Sequence, residues 1–111
     1  MIRLKRAYEP ALKDDGVRIL VDRVWPRGIS KEKLRLDEWM KDVAPSTALR
    51  KWFGHDPKRW SEFKKKYRAE LRKQPAALKK LRALTKKRVT LVYGAKDELH
   101  NQAVALKEFL S

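Results

Sequence analysis

Cysteine is absent from all 111 residues, which removes disulfides, thiolate nucleophiles and thiolate metal ligands together. Histidine occurs only at His55 and His100, and neither has a second histidine three to five residues away. A zinc site would need carboxylates to complete it, so neither a metal nor a cofactor is expected. The opening MIRLKRAYEP has no apolar run long enough for a signal peptide. No stretch approaches the roughly 20 apolar residues of a membrane span. The expectation is a cytoplasmic protein without membrane association. Acidic residues are also scarce, 14 against 29 Lys and Arg, for a net charge of +15.

That positive charge is regional. Residues 58–88 hold 14 Lys or Arg against Glu62 and Glu70 only, so they carry +12 of the +15. Such a surface favours polyanions, nucleic acid among them; the alternative is a solvated helical face. Lys64, Lys65, Arg68, Arg72, Lys79 and Lys80 are the candidate nucleic-acid contacts. Lysine outnumbers arginine there, and no aromatic side chain is interleaved in a stacking pattern.

The length suits one domain, residues 1–111, with a core of its own. Ile2 and Leu4 alternate with Arg3 and Lys5 as a short first strand, and Glu9–Gly16 carries Pro10 and an Asp-Asp-Gly turn signal that reads as a loop. Val17–Val21 is a second strand whose unbroken apolar end suits burial on both faces of a parallel sheet. Ser30 can cap a short helical piece, and Leu34, Leu36, Trp39, Met40 and Val43 suggest a helix over about 37–43. Ser46 and Gly54 bracket a helix over 47–53, and Asp56-Pro57 starts another, with an apolar stripe of Trp60, Phe63, Tyr67 and Leu71. Pro75 opens a further helix, with Ala77, Leu78, Leu81 and Leu84 inward. Val89–Tyr93 is strongly β-forming, and a last helix from about Glu98 to Leu110 buries Leu99, Ala103, Leu106 and Leu110. The expected architecture is a small three-layer α/β domain, with a mostly parallel sheet of about three strands and helices on both faces. Parallel pairing of the first two strands is favoured, although their short connection leaves the orientation open.

Ligands in open α/β sheets bind beyond the carboxyl ends of the strands. There the second strand delivers Asp22, Arg23, Trp25 and Arg27 through a tight turn closed by Pro26 and Gly28, while the last strand delivers Tyr93, Gly94, Lys96 and Asp97. Arg23, Arg27, Trp25, Gly94, Lys96 and Asn101 are the candidate ligand-binding residues for a phosphate or carboxylate. A catalytic version would use Asp22 or Asp97 as base and His100 or Tyr93 as acid. In the purely structural alternative, Asp22 pins the turn through Arg23 or Arg27 and Asp97 caps the last helix. His55, between a helix end and a helix start, most simply bonds the cap. Core burial is the simpler role for Trp25 and Trp52.

The runs DRVWPRG, LDEWMKDVAPSTALRKWFGHDPKRW and VTLVYGAKDELHNQA resemble the YeaO-like proteins, a branch of a family of domains of unknown function, over nearly the whole chain from Ile2 to Leu110. The wider relatives look like rhodaneses and cysteine phosphatases. That resemblance implies a compact α/β sheet in which an aspartate-arginine strand end faces the loop between the last strand and a helix. Catalytic members carry a cysteine and an arginine on that loop. Here Tyr93, Gly94 and the Lys96–Asn101 stretch occupy it, and Asn101, Gln102 and Ala103 stand where other branches have Cys-His-Arg. Thiolate chemistry is excluded.

The leading functional expectation is a non-thiol domain that binds an anionic small molecule or nucleotide and depends on Arg23. The alternatives are a nucleic-acid-binding module using the 58–88 face and a protein-interaction domain without catalysis. Whether any reaction occurs, and the oligomeric state, are open at the level of sequence.

Overall fold

The computed structural model describes every residue from Met1 to Ser111. Its elements run β1 (Ile2–Arg6), β2 (Val17–Leu20), α1 (Lys31–Leu34), β3 (Glu38–Trp39), α2 (Thr47–Phe53), α3 (Trp60–Arg72), α4 (Pro75–Leu84), β4 (Val89–Tyr93) and α5 (Gln102–Leu110). Short 3₁₀ turns occupy Lys13–Asp15, Lys41–Val43 and Pro57–Arg59. The strands lie in the order β1-β4-β2-β3, and every pair is parallel. This is the expected parallel α/β architecture with one strand more. β1 and β2 point the same way but do not touch, because β4 lies between them.

The apolar run of β4 follows from that central place. All five of its residues are buried, with Leu91 opposite both Leu4 of β1 and Ile19 of β2. On one face of the sheet, Ile19, Val21, Val89, Leu91 and Tyr93 pack against Phe53 of α2, Phe63, Tyr67 and Leu71 of α3, Leu81 of α4 and Leu106 of α5. The Tyr67 hydroxyl donates to the Val43 carbonyl, satisfying a phenol that burial would otherwise strand. The other face is thinner: Leu20, Val92 and Ala7 meet Leu34 of the one-turn α1, with Trp25, Ile29 and Leu36 beside them.

Two elements differ from expectation. Residues 37–43 form no α-helix. Asp37 N donates to Arg18 O (2.9 Å), Met40 N donates to Leu20 O (3.0 Å) and Asp37 Oδ2 accepts from Arg18 N (2.8 Å), so the open edge of β2 captures the segment as β3. Seven residues are too few for a helix to compete with that ladder by propensity alone. The last helix begins at Gln102, about four residues late. Asp97 Oδ1 accepts from Leu99 N (2.9 Å) and His100 N (3.0 Å), a local turn that competes with helix, and Asn101 then caps α5 by accepting from Val104 N (3.0 Å). Leu99, expected inside, is 73% exposed. The Ser46 cap and the left-handed Gly54 terminus of α2 lie where the sequence places them.

Candidate functional site: a cleft at the strand ends

β2 and β4 end side by side, and Val21 N donates to Val92 O (3.0 Å) at the last step of the ladder. The next residue, Asp22, accepts through Oδ2 from Gly94 N (2.8 Å) and through Oδ1 from the side-chain amide of Gln102. One carboxylate therefore joins the end of β2, the end of β4 and the first residue of α5. Gly94 allows this close approach: a Cβ there would stand 3.1 Å from Asp22 Oδ2, and the carboxylate would have to give by a few tenths of an ångström. Burial pushes the Asp22 carboxyl up to about 6, with the Gly94 N–H and the nearby Arg50 charge holding it back only in part.

The loop after Asp22 is fixed at three points. Trp39 Nε1 donates to Asp22 O (2.7 Å), Trp25 Nε1 to Ile29 O (2.7 Å) and Tyr8 Oη to Arg27 O (3.0 Å). Trp25 also meets Trp39 edge to face at 5.5 Å, and Gly28 closes the turn with φ of 80°. The one tether at Arg27 is to its backbone carbonyl, and its guanidinium has no hydrogen-bond or ion-pair partner.

Above Asp22 lies a cleft of about 590 Å³, walled by Tyr8, Trp25, Arg27, Arg50, His55 and His100 among others, with Phe53 and Phe63 behind. Its size suits a small molecule, for which pockets of about 300–1,000 Å³ are usual. Arg27, Arg50 and Lys51 contribute three cations, and none has a carboxylate within 4.0 Å. Gly54 and His55 both take left-handed backbone conformations, at φ of 53° and 57°, and this tight reversal sets Phe53 and His55 on the same cleft wall. Asp56 caps the next turn as its place before Pro57 leads one to expect, its Oδ1 accepting from Lys58 N (3.0 Å), while the expected hydrogen bond from His55 to that cap is not formed.

His100 also lines the cleft. Its Nδ1 lies 3.0 Å from Asp97 Oδ2, and its ring meets Trp60 edge to face at 5.4 Å. The N–H groups of Leu99 and His100 hold Asp97 below the usual carboxylate range. A histidine held at Nδ1 by a carboxylate presents Nε2 as its remaining polar atom.

Of the sequence candidates, Asp22, Trp25, Arg27, Gly94, His100 and Asn101 come together here. Asn101 is 2% exposed, and its side chain is occupied by the Val104 N–H and by the Asp97 carbonyl, to which its Nδ2 donates (2.9 Å). Arg23, Tyr93, Lys96 and Asp97 do not line the cleft. Arg23 instead lines a neighbouring hollow with Ser46 and Glu70, and its Nε donates to Pro45 O (2.8 Å). Tyr93 points into the core, and burial raises its phenol above its ordinary value. Lys96 is exposed on the following loop. Sequence reasoning missed Arg50, Lys51 and Tyr8. Arg50 and Lys51 sit in the apolar-patterned helix α2, and only the sheet order brings that helix to the strand ends. It also missed Arg6, whose Nε donates to Ala95 O (2.9 Å) and steadies the loop between β4 and α5.

A parallel α/β domain with a cation-lined cleft beyond its strand ends, and no thiol in it, thus defines the class. The chain belongs to the family described as "Inactive DUF488-N3 subclade", which matches residues 1–111. Among its relatives are the uncharacterized protein YeaO of Escherichia coli (strain K12), 46% identical over 98% of this chain and 96% of its own length, and the uncharacterized protein Mb3100c of Mycobacterium bovis, 44% identical over 99% and 93%. The uncharacterized protein Rv3073c of Mycobacterium tuberculosis shows the same 44% identity, with 99% and 93% coverage. No solved structure matches the chain significantly. No helix is long and apolar enough to cross a membrane.

Proposed function

We propose that the chain is a non-thiol anion-binding domain whose cleft holds a small molecule bearing a phosphate or carboxylate group, nucleotides included. One observation carries this reading. Three cations, Arg27, Arg50 and Lys51, converge without acidic partners on a cleft whose only carboxylate wall residue, Asp22, is pushed up to about 6 by burial. Unpaired arginines offer a planar fork to an oxyanion, and below about pH 6, where Asp22 is protonated, its carboxyl donates a hydrogen bond to the oxyanion rather than repelling it. The absence of a thiol and the family description "Inactive" both favour binding over the chemistry of the wider resemblance.

Titration calorimetry with inorganic phosphate and AMP tests the reading. Arg27→Ala and Arg50→Ala should each weaken binding about tenfold or more, as loss of a charge-assisted hydrogen bond of about 1.5–3 kcal/mol requires. Arg23→Ala should leave the affinity unchanged, because its guanidinium is turned to Pro45. Binding that survives the combined Arg27→Ala and Arg50→Ala change, or no binding at millimolar ligand, overturns the reading.

A further inference from the structure

We propose that the surface of α3 and α4 binds the phosphate backbone of nucleic acid, without reading its sequence, separately from the cleft. Two of the basic residues picked out by sequence are already engaged: Lys64 pairs with Glu108 at 3.2 Å and Lys80 pairs with Glu38. The four that remain, Lys65, Arg68, Arg72 and Lys79, fall together with Arg82 and Lys86 into two rows of the same pattern. Lys65, Arg68 and Arg72 follow at spacings of three and four along α3. Lys79, Arg82 and Lys86 repeat those spacings along α4 and the turn after it. Residues so spaced share a helix face. The second row lines one open groove of about 540 Å³ with Pro75 and Leu78. None of the six has a carboxylate within 4.0 Å.

What this surface lacks selects its partner. The large hydrophobic side chains that stand exposed are Met1, Tyr8, Leu12, Val24, Trp39 and Leu99, all outside residues 58–88. A helix that lies on a membrane buries apolar side chains in the lipid, and a protein interface is anchored by aromatic or apolar hot spots. This surface offers neither. A phosphodiester backbone needs only cations, because its binding is driven largely by release of condensed counterions. The tryptophans nearest the charges are not free to stack on bases: Lys66 and Arg59 lie 4.4 and 5.2 Å from the Trp52 ring, and Lys64 lies 5.4 Å from that of Trp60. Backbone contact without base readout is what remains.

Fluorescence anisotropy with labelled 20-mers of random sequence, duplex and single-stranded, decides the matter. Six phosphate contacts predict that affinity falls about a thousandfold between 50 and 200 mM salt. Replacing Lys79, Arg82 and Lys86 together by Ala should halve the logarithmic salt slope, so the same salt step costs only about fortyfold. The Lys65, Arg68 and Arg72 triple, on the other helix, should do the same and guards against a folding defect in either variant. Arg50→Ala and millimolar inorganic phosphate, which act on the cleft, should leave oligonucleotide affinity within about twofold, apart from the ionic strength added. The proposal is overturned by no binding at 50 mM salt, by a salt slope that neither triple changes, by loss of binding in Arg50→Ala, or by capture on phosphatidylserine vesicles in preference to the oligonucleotides.

Discussion

Asp15 and Asp22 stand at opposite surroundings of the same strand, and their contrast separates what holds the fold from what serves the cleft. Asp15 precedes β2 on the thin face of the sheet and is 2% exposed. Its Oδ2 lies 2.6 Å from Arg18 Nη1 and its Oδ1 lies 3.1 Å from Lys5 Nζ. It also accepts from Leu12 N (3.0 Å), while its carbonyl accepts from Thr90 Oγ1 (2.7 Å). Burial alone would raise its pKa, but the Leu12 N–H, Lys5 and Arg18 together hold it below the usual range. Asp22, at the far end of β2, is held by a backbone N–H and a neutral amide and has no cation within 4.0 Å. Dipoles offset its burial only in part, and it is pushed up to about 6. A buried carboxylate with its own cations is finished structure. One whose nearby cations stay free leaves them to a ligand.

The largest effect expected from this contrast is at Asp15. Asp15→Asn would leave the buried Arg18 charge without its partner and should cost about 3–5 kcal/mol in urea denaturation. The two aspartates should also bend the stability curve in opposite directions. With its folded pKa depressed, Asp15 adds stability that is present above its unfolded value of 3.8 and lost as the pH falls through the folded one. Asp22 has the raised pKa, so the folded state binds the proton more tightly, and its contribution is fully present below 3.8 and lost as the pH climbs to about 6. A shift of about two units amounts to about 3 kcal/mol over that window, and Asp22→Asn should abolish that slope. Gly94→Ala is smaller. Its Cβ at 3.1 Å from Asp22 Oδ2 forces the carboxylate aside, at about 1–2 kcal/mol, and should weaken anion binding with it. Arg50→Ala, at an exposed position without an ion pair, should change stability by no more than about 0.5 kcal/mol while weakening phosphate binding, which separates the cleft from the scaffold.

Much of this was legible in the sequence because local chemistry and tertiary role coincide there. The Ser46 cap, the Gly54 terminus, the α3 stripe and the β4 run each follow from patterns a few residues long. The failures have two causes, one tertiary and one local. Residues 37–43 have helix-like apolar spacing, yet the unpaired edge of β2 takes Glu38 and Trp39 into the sheet. At the last helix, the side chain of Asp97 outbids helix over Leu99 and His100. The site divides in the same way. Asp22, Arg27 and Gly94 were visible because a strand end marks them, whereas Arg50 and Lys51 reach the cleft only through the packing of α2. Arg23 read like Arg27 in sequence, but the bonding of its guanidinium to the Pro45 carbonyl is a tertiary contact that no local pattern announces.

The most direct test is a carbon-13 NMR titration of the side-chain carboxyls, with and without saturating inorganic phosphate. The cleft reading predicts that Asp22 titrates near 6 in the free protein and higher with phosphate, because a second negative charge beside it disfavours ionisation. Asp15 should titrate below 3.8 in both. An Asp22 midpoint in the ordinary carboxylate range, or one that saturating phosphate does not move, would contradict an anion site built around this carboxyl.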